Sequence, residues 1–140
     1  MEDAQIWQHI DSLAQAIRGK DIDAVMAHYA PEVVTYDLMP LECRGGDAYR
    51  RNFEAWFASV QGRIDYEMRE LQVEAGGDVA VCHHTAHVRS TRKSGDKNDY
   101  WVRVSAGLRK VGGRWLIVHE HISLPFKDGQ TMQASLARSP

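Results

Sequence analysis

Residues 98–125 read NDYWVRVSAGLRKVGGRWLIVHEHISLP. Two alternating runs of apolar and polar side chains flank Gly112-Gly113, which is the pattern of two long strands joined by a tight hairpin. Side chains alternate across a strand. In 98–111 one face carries Val102, Val104, Ala106 and Leu108, and the other carries Trp101, Arg103, Ser105 and Arg109. In 114–125 Leu116, Val118, Glu120, Ile122 and Leu124 share a face, opposite Trp115, Ile117, His119, His121 and Ser123. The loop length decides which faces agree. A three-residue loop, Val111-Gly112-Gly113, pairs Lys110 with Arg114 and sets Val102, Val104 and Ala106 beside Val118, Glu120 and Ile122. A two-residue Gly-Gly loop instead joins Arg103 and Ser105 to Glu120. The first gives one continuous apolar face and is the expected arrangement. It places Glu120 inside, and Trp101, Trp115 and Ile117 outside.

Upstream, 63–75 and 78–91 are two further long strand candidates, with turns at Gly76-Gly77 and Ser94-Gly95. In 78–91 the inward set is Ala80, Cys82, His84, Ala86 and Val88. Before them come helical signals. Ile6, Ile10, Leu13, Ala14 and Ile17 recur at helical spacing up to Gly19. Asp21 can cap a second helix containing Ala24, Val25, Ala27 and His28, which Pro31 is expected to end. Residues 32–38 (EVVTYDL) read as a strand, and MPLECRGG as a loop. A third helix then sets Tyr49, Phe53, Trp56 and Phe57 on one face. Helix, helix, strand, helix and a four-strand meander predict an α+β fold of cone shape. Three N-terminal helices would close the concave side of a strongly curved, mainly antiparallel sheet and leave a ligand pocket between.

At 140 residues the chain reads as a single domain over 1–126, with a loosely ordered tail over 127–140. Seventeen basic and nineteen acidic residues give a net charge of −2, which offers no electrostatic case for nucleic acid. No apolar run reaches the ~18 residues of a membrane span. Cys43 and Cys82 form no CxxC pair, and the start Met1-Glu2-Asp3 lacks the basic and apolar segments of an export signal. A reduced, cytoplasmic location is the expectation.

The stretch DIDAVMAHYAPEVVTYD (21–37) resembles the start of ketosteroid isomerase-like proteins. The stretch LRKVGGRWLIVHEHISLP (108–125) resembles SnoaL-like polyketide cyclases and the association domain of calcium/calmodulin-dependent kinase, all on the nuclear transport factor 2 (NTF2-like) fold. That fold hosts enzymes, binding domains and assembly domains, so the resemblance implies a fold more sharply than an activity. The isomerases use an aspartate near the end of the first strand as general base, and that position is Asp37. Their two oxyanion donors fall on Leu13 and on Ser105 or Ala106, neither alternative an acid, so steroid isomerisation is not expected. The arginines of the kinase pocket fall on Ala86, Ala106 and Ile122.

These readings give a candidate site. Asp37, His84 and Glu120 are the catalytic candidates, because a carboxyl withdrawn from water can exchange protons beside a substrate. Leu13, Phe53, Trp56, Cys82, Val104, Ala106 and Ile122 are the candidate substrate wall. The pairs His83/His87 and His119/His121 have strand spacing suited to chelation, but no third ligand is set by a local motif, so no metal is expected. No cofactor is implied. The expected activity is a cofactor-independent acid–base reaction of isomerase, cyclase or hydrolase type on a small apolar or carbonyl-containing molecule. The alternative is a non-catalytic ligand-binding or assembly domain. The outer apolar face of Trp101, Trp115 and Ile117 predicts a homodimer.

Overall fold

The structure, a computed structural model, describes residues 2–130 and 133–136. Helix α1 spans Glu2–Arg18 and buries Ile6, Ile10, Leu13, Ala14 and Ile17, the stripe read from the sequence, together with Ala16. Helix α2 is a single short turn, Ile22–Met26, capped by the Asp21 carboxylate on the Ala24 amide at 3.2 Å. Strands β1 (Tyr29–Tyr36) and β2 (Cys43–Arg44) precede helix α3 (Gly46–Ser59). Four long strands follow: β3 (Val60–Gly76), β4 (Val79–Arg92), β5 (Lys97–Val111) and β6 (Arg114–Ser123). They form one six-stranded sheet in the order β2-β1-β6-β5-β4-β3. Only the β1–β6 pair is parallel, so the sheet is mixed but mainly antiparallel.

Pro31 does not end α2. The helix stops at Met26, five residues earlier, because the Ile117 amide donates to the His28 carbonyl at 2.9 Å and draws the chain into the sheet. Pro31 then lies inside β1, in the interval between Tyr29 and Val34 where the register against β6 shifts. A proline is tolerated there because it has no ladder hydrogen bond to donate. The short β2, read as loop, forms where Thr35 pairs with Cys43. Gly45, at φ 91, makes the left-handed step from β2 into α3, and its amide donates to the Val33 carbonyl at 2.7 Å.

The final hairpin corrects the expected register. Val111 pairs with Arg114, so the loop has two residues, Gly112 and Gly113, with φ of 56 and 80. Positive φ at both central residues is the condition for the type I′ turn that matches strand twist, and only glycine adopts it freely. Below the turn Leu108 therefore pairs with Ile117 and Lys110 with Trp115. Trp115 (4% exposed) and Ile117 (0%) are core residues, not an outer surface. The ladder then shifts: Gly107 faces His119 and Ala106 faces Glu120, leaving Val118 as the extra residue of a bulge. Glu120 and Ile122 thus share the face of Ala106 and Val104. Their side is the expected one, but the bulge and not the loop puts them there.

A second bulge interrupts β3 between Arg69 and Gln72, opposite His84, with Glu70 at φ 59. The helices pack on the concave face of the sheet, and the core runs from Ile6, Val25 and Val33 through Ile64 to Leu108 and Ile117. The described part of the tail is tied down. Phe126 bridges Ala134, the Ser135 amide donates to the Pro125 carbonyl at 2.7 Å, and the Trp101 amide donates to the Leu136 carbonyl at 2.9 Å. The segment continues the edge of β5 where β6 has ended. The loosely ordered tail expected from the sequence is replaced, over these residues, by a short strap.

Candidate functional site

Between α1, α3 and the concave face lies a cavity of about 1000 Å³. Its deep end is built from three elements. Tyr29 opens β1, Tyr49 stands on the buried face of α3, and Glu120 comes inward from β6 just past the bulge. The Tyr49 hydroxyl donates to Glu120 Oε1 at 2.6 Å. The Tyr29 hydroxyl lies 3.0 Å from Oε1 and 3.2 Å from Oε2. The two phenol rings meet edge to face at 5.0 Å, and Phe53 packs against both. Burial pushes the Glu120 carboxyl up to about 7, against the two phenol hydrogen bonds, which favour the ionised form. The same burial, with Glu120 beside them, drives both phenols far above their ordinary range.

Asp37 follows the last residue of β1 and is half-buried near the mouth. Its Oδ1 accepts from the Leu38 amide at 2.6 Å and its Oδ2 from Asn52 Nδ2 at 3.3 Å. Burial raises its carboxyl from the usual range, while the two donors pull it back. Leu38, Met39 and Pro40 continue from Asp37 along the rim, where Leu136 of the strap also stands.

His84 stands on β4 opposite Val104. Its Nδ1 is 3.2 Å from the Thr85 carbonyl oxygen, so that nitrogen carries the proton and donates. Burial lowers its pKa and keeps the ring neutral. Among the hydrogen bonds of the described residues, none joins His84 to Asp37 or Glu120. Cys82 faces Ala106, and burial pushes its thiol up to about 12, which leaves it an inert wall residue.

The cavity wall contains Asp37, His84 and Glu120 together with Leu13, Phe53, Trp56, Cys82, Val104, Ala106 and Ile122. It also contains Tyr29, Tyr49, Asn52, Tyr66 and Tyr100, which sequence reasoning did not assign to the site. Tyr49 had a signal: it sits on the apolar face of α3, where a hydroxyl demands a partner. Tyr29 had none, because its strand was read as beginning three residues later.

The other histidines lie away from this cavity. His87 Nε2 contacts Asp99 at 2.7 Å and its ring stacks on Trp101 at 4.6 Å. His119 Nδ1 donates to the Val34 carbonyl at 2.7 Å. Among the described residues no group of three or more His, Cys, Asp or Glu side chains is placed to hold a metal ion. Among the described residues no helix is long and apolar enough to cross a membrane.

The SnoaL-like domain family matches residues 6–127. An NTF2-like protein of unknown function from Pseudomonas putida KT2440 is 31% identical, superposes with a TM-score of 0.85, and the match covers 100% of this chain and 99% of that one. A ketosteroid isomerase-like protein from Erwinia carotovora atroseptica SCRI1043 is 24% identical over 86% of this chain and 93% of its own, with a TM-score of 0.75. The association domain of C. elegans CaMKII is 20% identical over 87% and 95%, with a TM-score of 0.71. No curated protein matches the sequence. The wide family match, and a cone of helices on a curved sheet shared with these structures, place the chain: it belongs to the SnoaL-like family, on the NTF2-like fold.

Proposed function

We propose that the protein is a cofactor-independent acid–base enzyme of isomerase, cyclase or hydrolase type acting on a small, largely apolar molecule. One observation carries the reading: a fully buried carboxyl, Glu120, faces a large cavity and holds its proton to about pH 7. A group poised near the working pH is suited to give and take protons. Tyr29 and Tyr49 steady the negative charge that Glu120 acquires when it gives up its proton. Asp37, braced by Asn52, is the second carboxyl and stands at the mouth, where the resemblance to ketosteroid isomerase-like proteins sets the general base. His84 is a neutral acceptor on the same cavity wall. A carbonyl group in the substrate would be matched by Glu120 in its protonated form, which can donate.

The test is turnover by mass spectrometry over a panel of apolar alcohols, ketones and epoxides. Asp37→Asn and Glu120→Gln are each expected to keep binding and to lose about 10²-fold or more in rate. Equal rates in both variants and the parent would remove the catalytic assignment. A non-catalytic binding domain is favoured by one fact: both phenol protons already point at Glu120, so the triad is satisfied without a ligand. Binding with no turnover by the parent protein would establish that reading.

We also propose a homodimer through the outer sheet face. Trp115 and Ile117 no longer support it. Trp101 does, together with Val79 (58% exposed) and Val81 (48%), which alternate outward from Cys82 on β4. The assembly role named for the kinase association domain is consistent with it. Light scattering at about ten micromolar, well above a micromolar dissociation constant, should give twice the chain mass. A monomer there would reject the dimer.

A further inference from the structure

The charged groups of the cavity are unequally placed: Asp37 and Glu120 are anionic when ionised, and Arg92 stands apart from Glu120. At the deep end Tyr29 and Tyr49 both spend their only proton on Glu120. What the two hydroxyls and the ionised carboxylate still offer is lone pairs. His84 spends its Nδ1 proton on the Thr85 carbonyl and turns an unprotonated Nε2 to its surroundings. Asp37 at the mouth is a second acceptor. Among the described residues the wall holds one lysine or arginine, Arg92. It ends β4, ten residues beyond Cys82, or roughly 30 Å of extended strand, whereas Cys82 pairs with Ala106 beside Glu120. Among the described residues no lysine or arginine lines the cavity beside the deep carboxylate. Around it stand aromatic rings, whose faces attract positive charge.

We propose that the cavity receives an apolar organic amine, with its ammonium group seated against the Glu120 carboxylate and the rings of Tyr29, Tyr49 and Phe53. An ammonium supplies the positive charge that this end lacks and donates directly to the carboxylate. A carboxylate or phosphate would bring a second anion and further acceptors, and the site rejects it. A hydroxyl donates without charge and binds between the two. The proposal rests on the cavity being the ligand site, as in the reading above, but not on catalysis there.

The ionisable groups around Glu120 give the proposal a proton signature. Tyr29 faces it from β1, Asp37 interacts with it from just past the end of β1, Tyr49 faces it from α3, Tyr66 from β3 and Cys82 from β4. None of them is a cation. An arriving ammonium therefore ionises Glu120, and near neutrality binding must release protons to the buffer.

Isothermal titration of the whole protein with a naphthylmethylamine, the corresponding naphthylmethanol and the naphthoic acid tests this on one skeleton. At about pH 8 the amine is expected to bind tenfold or more tighter than the acid, a difference of about 1.4 kcal/mol. Near pH 7 its apparent heat should change with the ionisation heat of the buffer, as proton release requires. Glu120→Gln should bring amine and acid to within about threefold of each other, the carboxylate charge being gone. An acid that binds as tightly as the amine overturns the proposal. So does a preference that survives Glu120→Gln, or an amine heat independent of buffer in the unaltered protein. If none of the three binds, the proposal fails together with the cavity as ligand site. If the amine binds and no compound is turned over, the proposal stands and the enzyme reading alone falls.

Discussion

Glutamine at position 120 should stabilise the protein at alkaline pH by on the order of 3 kcal/mol relative to glutamate, and should change little in acid. The folded carboxyl titrates at about 7, against an ordinary 4.5. Between these values the folded state keeps a proton that the unfolded state has released. Stability from this group is therefore full below about pH 4.5, falls as pH rises, and is lost above about pH 7. The amide is uncharged throughout and nearly the same shape, and its oxygen can still accept from Tyr49 and Tyr29. The parent protein's own pH profile is mixed, because burial holds His9 down to about 4 and also lowers His28. Those two rings cost stability in the opposite direction, as pH falls below about 6.5 and the unfolded chain gains protons. The difference between variant and parent cancels them. Urea denaturation at about pH 5 and pH 8 should show a gap that opens with pH, and a constant gap would mean Glu120 is not desolvated.

The two tryptophans that the sequence placed on one outer face should separate sharply under truncation. Trp115→Ala is expected to cost about 3–5 kcal/mol, as for other buried large side chains. Trp101→Ala should cost about 1 kcal/mol, the scale of a partly exposed residue. Trp115 is 4% exposed, with Lys110 Nζ lying 5.9 Å from its ring centroid. Trp101 stacks on His87 at 4.6 Å, with Arg69 over it at 5.8 Å, on the other side of the sheet. Thermal or urea melts of the two variants decide the matter. Equal losses would contradict the bulge at Val118, since only the bulge allows Trp115 and Glu120 to face the same way from positions of opposite parity.

That pair of residues also measures how far the sequence can be read. Alternation in 98–111 and 78–91 identifies the inward side chains because those stretches of β4 and β5 pair without interruption. The same logic applied to 114–125 sorts the upper half correctly and the lower half inversely. A bulge leaves no mark in a pattern of alternating residues when apolar side chains occupy both phases, as Trp115, Leu116, Ile117 and Val118 do. The turn was readable in principle: two adjacent glycines suit a two-residue I′ loop, but the demand for one continuous apolar face outweighed that chemistry. Asp37 and Glu120 could be nominated as carboxylates near apolar neighbours. Tyr29 and Tyr49 could not be joined to Glu120, because they lie 91 and 71 positions away and meet it only through tertiary packing. His84 shows the converse. Its inward phase follows from the alternation of β4 and holds, yet its hydrogen bond goes to its own neighbour's carbonyl and not to another candidate.

The extra residue at Val118 divides β6 into two cassettes that run out of step. In a saturation scan of this strand, intolerance to polar replacements would fall on the odd positions 115 and 117, then skip a beat and fall on the even positions 120 and 122. Position 118 is the hyphen between them. Any ungapped alignment or sequence profile drawn through β6 of a relative lacking that hyphen would swap lining for surface on one side of it. Grafting the segment Glu120–Ile122 into such a relative would carry the acid to the wrong side of the wall unless the added residue travels with it. The portable unit of this site is therefore longer than its carboxylate: it begins at Ile117, where the strand's two rhythms part.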